Sequence, residues 1–355
     1  MKSLIDFKNN IRKCSKCGIC QADCPIYKIT GNDCSVSRGF FVMLNGYLKG
    51  DLKLTKTINR YLELCLKCRA CEKSCPAGIN VIDIVIAAKS DYMKNHPIEK
   101  IKIFILKFLI FGLFPKILNI FRRSTKSKQF NKKVLYFGGC ASRVKGDKSI
   151  VKLLNAIDIE VINPSFNCCG MPYFIKGDLE GLNNSIKNYI NLLKKYDIKE
   201  IVVTCASCEK TIKDYVKWAD KEDCEFLKKI QVKNIYEYLK DKHFSLKSKK
   251  PITVTYHKPC SIDNFQDVER LLKNIDNLKY IEMNDFGSCC GLNGLTNIKE
   301  YKIFSNIFKS KRKNIINSQA KIVLTSCAGC QVALNLYSAG QYKTYDLIDF
   351  LSRYL

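Results

Sequence analysis

The hydrophobic pattern divides the chain into an N-terminal helical part and a longer part in which strands and helices alternate. In the N-terminal part, residues 38–48 and 55–64 carry apolar side chains at helical spacing, and strand signals are scarce. Short runs of β-branched and aromatic residues predict strands at 134–137, 201–204, 252–255 and 322–325. Longer stretches with helical spacing lie at 179–196 and 300–318. This alternation predicts a mostly parallel α/β sheet, in which ligands bind at the carboxyl ends of the strands.

The cysteines that follow these strands show that the second part of the chain repeats one plan. The first copy contains Cys140, the pair Cys168-Cys169 followed by Gly170, and then Cys205 and Cys208. The second copy contains Cys260, the pair Cys289-Cys290 followed by Gly291, and then Cys327 and Cys330. Corresponding intervals differ by at most one residue, which indicates two domains of one fold. The predicted order is a helical domain at 1–98, an apolar and basic segment at 99–131, and repeated domains at 132–245 and 246–355.

The 20 cysteines can form disulfides or bind metal. Disulfide-dense domains are usually small and secreted, whereas residues 1–10 are polar and charged and show no signal peptide. All cysteines except Cys34 and Cys224 fall into patterned clusters, which favours metal binding in the cytoplasm. Those two are expected to act as small buried hydrophobic residues.

Two runs of cysteine near the N-terminus have the same spacing. The first is Cys14-x-x-Cys17-x-x-Cys20-x-x-x-Cys24-Pro25, and the second is Cys65-x-x-Cys68-x-x-Cys71-x-x-x-Cys75-Pro76. Both match the bacterial two-cluster ferredoxin pattern, in which the fourth cysteine of each run binds the other cluster. We therefore expect one [4Fe–4S] cluster at Cys14, Cys17, Cys20 and Cys75, and a second at Cys65, Cys68, Cys71 and Cys24.

Zinc is the alternative metal for these two runs. A closed zinc site needs four ligands, but such sites usually pair short Cys-x-x-Cys knuckles and have no use for a three-plus-one run that ends in Cys-Pro. Two neighbouring iron–sulfur clusters carry single electrons and do no acid–base chemistry. The runs therefore predict electron transfer between a donor and an acceptor.

The formal net charge of +27 suggests an acidic partner or anionic lipid. No helix–turn–helix or zinc-finger spacing supports binding to nucleic acid, which ranks last. Residues 103–121 are rich in Ile, Leu and Phe, but Lys107 and Lys116 interrupt them, and their length is marginal for a membrane-spanning helix. With the basic residues that follow from Arg122, this segment fits either the membrane interface or a helix buried against a domain or partner subunit.

The repeated cysteines resemble the cysteine-rich CCG domain of heterodisulfide reductases and of iron–sulfur subunits of flavin-linked dehydrogenases. In the former, five cysteines hold a non-cubane [4Fe–4S] cluster. By that resemblance, one site consists of Cys140, Cys168, Cys169, Cys205 and Cys208, and the other of Cys260, Cys289, Cys290, Cys327 and Cys330. One or two further non-cubane clusters, an ordinary cubane, a zinc ion and a purely structural role remain alternatives. His257, close before Cys260, can tune such a cluster, relay a proton or be an ordinary packed histidine.

Over nearly its whole length the chain resembles the iron–sulfur subunit of glycolate oxidase, with the corresponding subunit of glycerol-3-phosphate dehydrogenase as a close relative. The resemblance rests on Ser37-Arg38-Gly39, on the residues around the second ferredoxin run, and on Tyr136-Phe137-Gly138-Gly139-Cys140. It implies an α+β multidomain fold, with an N-terminal α-helical two-cluster ferredoxin followed by two repeated α/β CCG domains.

The resemblance also implies a function. In that family a separate FAD-containing subunit oxidises a 2-hydroxy acid, and the iron–sulfur subunit carries electrons toward membrane quinone. We therefore expect an oxidoreductase subunit of a glycolate- or lactate-type dehydrogenase that has no catalytic residue of its own, in the cytoplasm or peripheral on the inner face of the membrane. The lack of a Gly-rich dinucleotide fingerprint agrees with this division of labour. The alternative is a heterodisulfide-reductase-like enzyme that cleaves disulfides at CCG-bound clusters, because all CCG cysteines are present.

Overall fold

The computed structural model describes residues 2–97, 125–139, 147–164, 168–292 and 300–354. The predicted interface segment at 103–121 and the predicted ligand Cys140 lie outside these residues. The chain forms two compact units. The first unit contains Met1–Leu106, Pro172–Gly181 and Cys289–Ser310, and the second contains Lys107–Met171, Leu182–Ser288 and Lys311–Leu355.

The N-terminal part of the first unit is helical. Short 3-10 helices cover Leu4–Phe7 and Asp33–Ser35, and α-helices α1 to α7 cover Lys8–Arg12, Ile19–Asp23, Pro25–Thr30, Ser37–Lys49, Lys56–Leu64, Ala70–Lys73 and Val81–Lys94. The predicted helices at 38–48 and 55–64 are present as α4 and α5. Thr55 caps α5 by accepting a hydrogen bond from the Ile58 amide, and Gly50 ends α4 in the left-handed conformation.

The first unit also contains a small apolar core to which distant parts of the sequence contribute. Its buried members are Ile26, Leu64, Leu66, Cys289, Phe304 and Ile307. The first three belong to the helical N-terminal part, whereas the last three belong to the segment that begins with the second copy of the Cys-Cys-Gly motif. Burial of this apolar surface therefore fixes that segment within the first unit.

The second unit contains two four-stranded sheets whose strands are all parallel. The first sheet has the order β2-β1-β3-β4, with strands Lys132–Phe137 (β1), Ile159–Ile162 (β2), Glu200–Val203 (β3) and Gln231–Asn234 (β4). Phe244–Ser245 (β5) and Ile275–Asp276 (β7) form a separate two-stranded pair. The second sheet has the order β8-β6-β9-β10, with strands Ile252–His257 (β6), Leu278–Tyr280 (β8), Ile322–Thr325 (β9) and Lys343–Asp346 (β10). The two strand orders are equivalent, so the two cysteine-containing repeats have the same sheet topology.

Helices α8 to α18 follow and separate these strands. Their bounds are Lys148–Asn155, Met171–Lys176, Leu179–Tyr196, Ala206–Lys213, Tyr215–Trp218, Lys221–Leu227, Tyr236–Leu239, Gln266–Lys273, Tyr301–Asn317, Ala328–Leu336 and Leu347–Tyr354. The two sheets share one hydrophobic core, to which Val134 and Tyr136 of β1 and Val254 and Tyr256 of β6 contribute. Strands buried in this way explain the short continuous apolar runs in the sequence.

The carboxyl ends of the central strands place cysteines at helix N-termini. Strand β3 leads to Cys205, which is the N-cap of α11 (Ala206–Lys213). Strand β9 leads to Cys327, which is the N-cap of α17 (Ala328–Leu336). The positive end of a helix dipole favours the thiolate form of a cysteine, which is the form that binds metal. The pKa of Cys327 is lowered, mainly by its hydrogen bond with Cys205. The pKa of Cys205 is raised, because its hydrogen bond with Cys208, which lowers the pKa, is outweighed by the effects of Cys327 and burial.

Candidate metal centres

The two ferredoxin runs line two neighbouring cavities. The first is lined by cysteines that include Cys14, Cys17, Cys20 and Cys75. The second is lined by cysteines that include Cys24, Cys65, Cys68 and Cys71. Cys71 also lines the first cavity. The structure therefore brings together each predicted set of four, including the fourth cysteine from the opposite run.

The backbone of the two cysteine loops is strained at equivalent positions. Lys16 and Lys67, each one residue before the second cysteine of its run, have φ values of 62° and 55°. Gly18 and Arg69, each one residue after that cysteine, have φ values of 87° and 63°. A positive φ at a residue other than glycine costs about 1 to 3 kcal/mol and is typical of functional sites. The residues with positive φ make each loop curve, and the sulfurs of each run line a common cavity.

Burial and mutual repulsion disfavour free thiolates in the second cavity. Burial and the nearby Cys289 together raise the pKa of Cys68 to about 12. Burial also raises the pKa of Cys71 and of Cys24, with Cys65 adding to both shifts. Several thiolates in one buried site are stable only beside a compensating cation. The donor set therefore fits iron, which would bind all four sulfurs as thiolates.

The Ser37-Arg38-Gly39 motif packs between the two cavities, a role that the sequence did not reveal. Ser37 lines both cavities and hydrogen-bonds the Cys71 thiol. Arg38 lines the first cavity and donates to Gln21 Oε1 over 3.4 Å. A Cβ at Gly39 would lie 1.9 Å from the carbonyl oxygen of Asp33, so only glycine fits there. The motif was visible only as a family signature, because its partners are far along the chain.

The described cysteines of the first repeated domain form one group of thiols in the second unit. Cys169 hydrogen-bonds Cys168 and Cys208, and Cys208 also hydrogen-bonds Cys205. The hydrogen bonds from Cys168 and Cys208 lower the pKa of Cys169, whereas hydrogen bonds with Cys169 and Cys205, together with burial, raise the pKa of Cys208. The predicted set is thus brought together except for Cys140, which lies outside the described residues.

The Cys-x-x-Cys loops of the two repeated domains meet in the second unit. The Cys205 and Cys327 thiols hydrogen-bond each other. Ser207 Oγ lies 3.3 Å from Cys327 Sγ, and the Ala206 amide donates to the Ser326 carbonyl oxygen over 2.8 Å. Hydrogen bonds from Cys205 and Cys330 lower the pKa of Cys327. The two predicted cysteine sets therefore adjoin at these loops.

The predicted cysteines of the second repeated domain are divided between the two units. Cys260, Cys327 and Cys330 belong to the second unit, and Cys289 and Cys290 to the first. Cys289 is buried in the same core as Ile26 and Leu64, with Cys24 and Cys68 of the ferredoxin runs packed against that core. The Gly291 amide donates to Cys289 Sγ over 3.3 Å, as is common for sulfur ligands of iron.

His257 ends strand β6 and is fully buried. Among the described residues, neither ring nitrogen has a hydrogen-bond partner. The ring lies near Cys330, with a ring nitrogen within 4.8 Å of the Cys330 sulfur. Burial and the nearby Lys311 lower the pKa of His257 to about 3, while Cys327 opposes the shift. The imidazole is therefore neutral at physiological pH.

The two cysteines outside the patterned clusters differ from expectation. Both Cys34 and Cys224 are partly exposed rather than buried. Cys34 lies in the short 3-10 helix Asp33–Ser35, and Cys224 Sγ donates to the Val216 carbonyl oxygen over 3.4 Å. A surface turn and a short helix do not provide a core in which to bury them.

Two protein families match the chain. The family described as a 4Fe-4S dicluster domain matches residues 10–79, and the family described as a cysteine-rich domain, CCG, matches residues 134–213 and 254–335. The predicted fold class is thereby confirmed, as is the presence of both domain types.

Two curated relatives match nearly the whole chain. The glycolate oxidase iron–sulfur subunit of Escherichia coli strain K12 is 22% identical over 388 residues, which are 97% of this chain and 94% of that protein. One subunit of the dihydromethanophenazine:CoB–CoM heterodisulfide reductase of Methanosarcina acetivorans is 22% identical over 387 residues, or 92% of this chain and 90% of that protein. The predicted resemblance to both groups is confirmed, and the chain is a homologue of subunits of multi-subunit oxidoreductases.

A solved structure supports the fold alone. A hypothetical protein from Helicobacter pylori aligns over 90% of this chain and 67% of that chain, with a TM-score of 0.55 and 14% identity. Within the described ranges, which omit residues 98–124, none of the helices combines the length and the apolar character needed to cross a bilayer.

Proposed function

Because this chain joins a 4Fe-4S dicluster domain to two cysteine-rich domains and is homologous to glycolate oxidase iron–sulfur subunits, we propose that it is the electron-transfer subunit of a flavin-linked 2-hydroxy-acid dehydrogenase. A separate FAD-containing subunit would oxidise a glycolate- or lactate-type substrate. This chain would carry the electrons toward membrane quinone, in the cytoplasm and peripheral to the membrane.

The residues that would hold the clusters are the two sets that line the ferredoxin cavities. Cys14, Cys17, Cys20 and Cys75 would bind one [4Fe–4S] cluster, and Cys65, Cys68, Cys71 and Cys24 the other. When bound, each cluster would supply one-electron transfer. Ser37 donates to the Cys71 sulfur, which would stabilise its negative charge.

The observation that carries the proposal is the packing of Cys289 in the first unit. This cysteine belongs to the predicted set of the second repeated domain, yet it lies in the core against which Cys68 and Cys24 of the second ferredoxin cavity pack. One apolar core therefore contacts predicted ligands of the ferredoxin part and contains a predicted ligand of a repeated domain. Such an arrangement is what a chain of one-electron centres needs, and it makes the second cavity the expected last ferredoxin centre before the second repeated domain.

The experiment is anaerobic purification of the full chain with the products of its neighbouring genes, followed by addition of glycolate or lactate. We expect about eight irons per chain from the two ferredoxin clusters. Substrate should reduce the flavin and then bleach the iron–sulfur absorbance, and a quinone analogue should reoxidise both. Iron–sulfur absorbance that does not decrease while the flavin is reduced would show that the clusters stay oxidised, and it would contradict the proposal.

A pair of matched variants separates electron transfer from substrate oxidation. Cys17→Ser removes one sulfur of the first cavity, whereas Cys34→Ser changes a cysteine outside the patterned clusters. Cys17→Ser should leave flavin reduction by substrate intact and abolish reduction of the quinone analogue. Cys34→Ser should behave as the unaltered protein.

Disulfide reduction is the second candidate function, and one observation favours it. The Cys205 and Cys327 thiols of the two repeated domains hydrogen-bond each other, so the two predicted metal sets adjoin. Cleavage of a disulfide requires two electrons, which two adjoining one-electron centres can deliver together. Reduction of a small heterodisulfide by the dithionite-reduced protein, with both thiols recovered, would favour this function over the first.

A further inference from the structure

The two repeated domains carry different residues at one equivalent position. Phe137 ends β1 three residues before Cys140, and His257 ends β6 three residues before Cys260. The sheet registers agree, since Phe137 pairs with the last residue of β3 and His257 with the last residue of β9. The second domain therefore offers a nitrogen donor at the place where the first has a hydrocarbon ring.

The two side chains also lie in comparable places. An ideal Cβ at Gly139 would lie 3.0 Å from Cys208 Sγ and 3.5 Å from Cε1 of the Phe137 ring, so the ring and that sulfur both lie beside Gly139. A ring nitrogen of His257 lies within 4.8 Å of the sulfur of Cys330, the cysteine that corresponds to Cys208. Each side chain therefore lies in the neighbourhood of the second cysteine of a Cys-x-x-Cys loop.

The imidazole of His257 is buried at a cost that no described protein group offsets. Both ring nitrogens are buried without a hydrogen-bond partner among the described residues. Leaving a polar group buried and unpaired costs about 1 to 3 kcal/mol. Packing alone would favour an apolar ring, as in the first domain. The buried nitrogens are therefore best explained by binding to a group that is not part of the protein chain.

The positive charge closest to this site is held by backbone oxygens. Lys311 donates to the carbonyl oxygens of Asp285 and Phe286 over 3.0 and 2.8 Å. The carbonyl groups therefore satisfy the Lys311 ammonium group, and the His257 ring nitrogens are left available to bind a metal ion, as an imidazole commonly does.

We propose that His257 coordinates iron through an imidazole nitrogen in a metal centre at the Cys327 and Cys330 loop of the second unit. The other ring nitrogen keeps its proton. The buried hydroxyl of Thr325 is opposite His257 in the β6–β9 register and likewise has no partner among the described residues, which makes it the expected acceptor.

This ligand makes the two repeated domains unequal in redox terms. Replacement of cysteine by histidine on one iron of a cluster raises its reduction potential, because a neutral ligand stabilises the oxidised iron less than a thiolate does. An added neutral donor likewise brings no negative charge to the second centre. We therefore expect the second centre to differ in potential from the first and to be the one whose potential shifts when His257 is changed.

The experiment uses the small number of histidines in the chain. The sequence contains 3, namely His96, His243 and His257. The full chain is produced anaerobically with histidine labelled with nitrogen-15, its iron is counted, and the clusters beyond the ferredoxin pair are brought to a paramagnetic state by redox titration. Pulsed electron paramagnetic resonance should then show a strong nitrogen coupling that changes with the isotope.

The variants assign that coupling to one residue. His257→Phe reproduces the side chain of the first domain and should abolish the coupling, while His96→Gln and His243→Gln should retain it. The ferredoxin signals and their eight or so irons should persist in His257→Phe, which shows that the variant folds. A coupling that is absent or only weak in the unaltered protein, a coupling that survives His257→Phe, zinc in place of the additional iron, or no metal beyond the ferredoxin clusters would each overturn the inference.

The inference and the proposed function fail in different ways. The proposed function rests on the ferredoxin cavities and on a flavin partner, and its test is reduction by a 2-hydroxy acid. The nitrogen coupling is measured on the isolated chain with a chemical reductant. If the unaltered protein lacks the strong nitrogen coupling but its clusters are reduced by the 2-hydroxy acid, the inference alone is overturned. If the unaltered protein shows the coupling but its clusters are not reduced by the 2-hydroxy acid, the proposed function alone is overturned.

Discussion

The two repeated domains share a plan but differ in what surrounds their cysteines. Both have four parallel strands in equivalent order, with cysteines after the central strands. In the first, Cys168 and Cys169 join the other thiols of their own domain in the second unit. In the second, Cys289 is buried in the core of the first unit, beside Cys68. A duplicated scaffold keeps its topology because strand order is set by buried backbone pairing, while a few side chains at strand ends and loops decide what each copy is connected to.

The largest effect is expected from removal of the Cys68 sulfur, which packs against the core that contains Cys289. Cys68→Ser should lower the iron content by about four per chain, because a cubane needs its thiolates. The second copy should then no longer receive electrons from the flavin partner. Iron analysis and the rate of enzymatic reduction check this, with Cys224→Ser as a control outside both runs. Unchanged iron content would show that Cys68 binds no cluster.

The next test removes the apolar side chain that anchors the segment after the second Cys-Cys-Gly. Phe304 is 3% exposed and packs with Leu64 and Leu66. Phe304→Ala should lower the free energy of unfolding by about 3 to 5 kcal/mol, because it leaves a cavity in a small core. Urea unfolding of the anaerobic full chain measures the loss. The matched change after the first Cys-Cys-Gly, Phe174→Ala, should cost less, since Phe174 is 9% exposed and at the edge of burial. Equal costs would contradict the asymmetry of the two copies.

The segment after the first Cys-Cys-Gly is held instead by a buried lysine. Lys89 of α7 is 2% exposed and donates to the Ile175 carbonyl oxygen over 2.5 Å. Burial lowers the pKa of Lys89 well below its usual range, and Lys67 adds to this shift. Between the lowered folded value and the ordinary unfolded value, the unfolded chain binds more protons, so the free energy of unfolding rises with pH.

Lys89→Met should remove that part of the rise, which amounts to about 1.4 kcal/mol for each unit by which the pKa is lowered. Melting temperatures measured at a series of pH values from about 7 to about 10 provide the test. Lys94→Met is the matched control, since Lys94 lies on the same helix with a side chain that is 62% exposed. A variant with the same pH dependence as the unaltered protein would show that Lys89 stays charged in the fold.

The smallest effect is expected from a tyrosine hydroxyl that occupies a comparable place in each of the two sheets. Tyr256 OH lies 2.6 Å from Ser326 Oγ in the second copy, whereas Tyr136 OH lies 3.5 Å from Thr204 Oγ1 in the first. Tyr256→Phe should lower the free energy of unfolding by about 1 kcal/mol, because it removes a short buried hydrogen bond. Tyr136→Phe should cost clearly less. Urea denaturation of both variants measures the two losses in free energy of unfolding. A larger loss in Tyr136→Phe than in Tyr256→Phe would show that the strengths of the two hydroxyl pairs do not follow their distances.

Much of this architecture is readable from local spacing. The predicted strand at 322–325 has the observed bounds Ile322–Thr325, and the predicted strand at 201–204 is shifted by one residue to Glu200–Val203. Thr204 leaves the strand, and its hydroxyl faces that of Tyr136. The strand predicted at 252–255 extends to His257, because a position between β8 and β9 buries residues that look too polar for a strand. Strand ends and the cysteines after them are thus local features, which explains why they could be predicted.

The features that the sequence did not reveal depend on distant contacts. Ser37 lies between the two ferredoxin cavities only because helix α4 passes beside Cys71. Cys289 lies beside Cys68 only because the chain returns to the helical part at the second Cys-Cys-Gly motif. No local periodicity encodes either contact. The same holds for His257, whose missing hydrogen-bond partners among the described residues are visible only once its burial is known.

The interleaved lining of the ferredoxin cavities constrains how the protein is made. Cys75 lines the cavity of the first run, and Cys24 lines the cavity of the second. While the ribosome is still translating the residues between the runs, each cavity lacks sulfurs that have not yet been synthesised. If these cavities hold the proposed clusters, insertion would have to wait until Cys75 has left the exit tunnel and the second run has folded back onto the first. A nascent chain that ends before Cys65 contains the four cysteines of the first run but only one sulfur of the second cavity, Cys24, so neither cavity is complete at that stage.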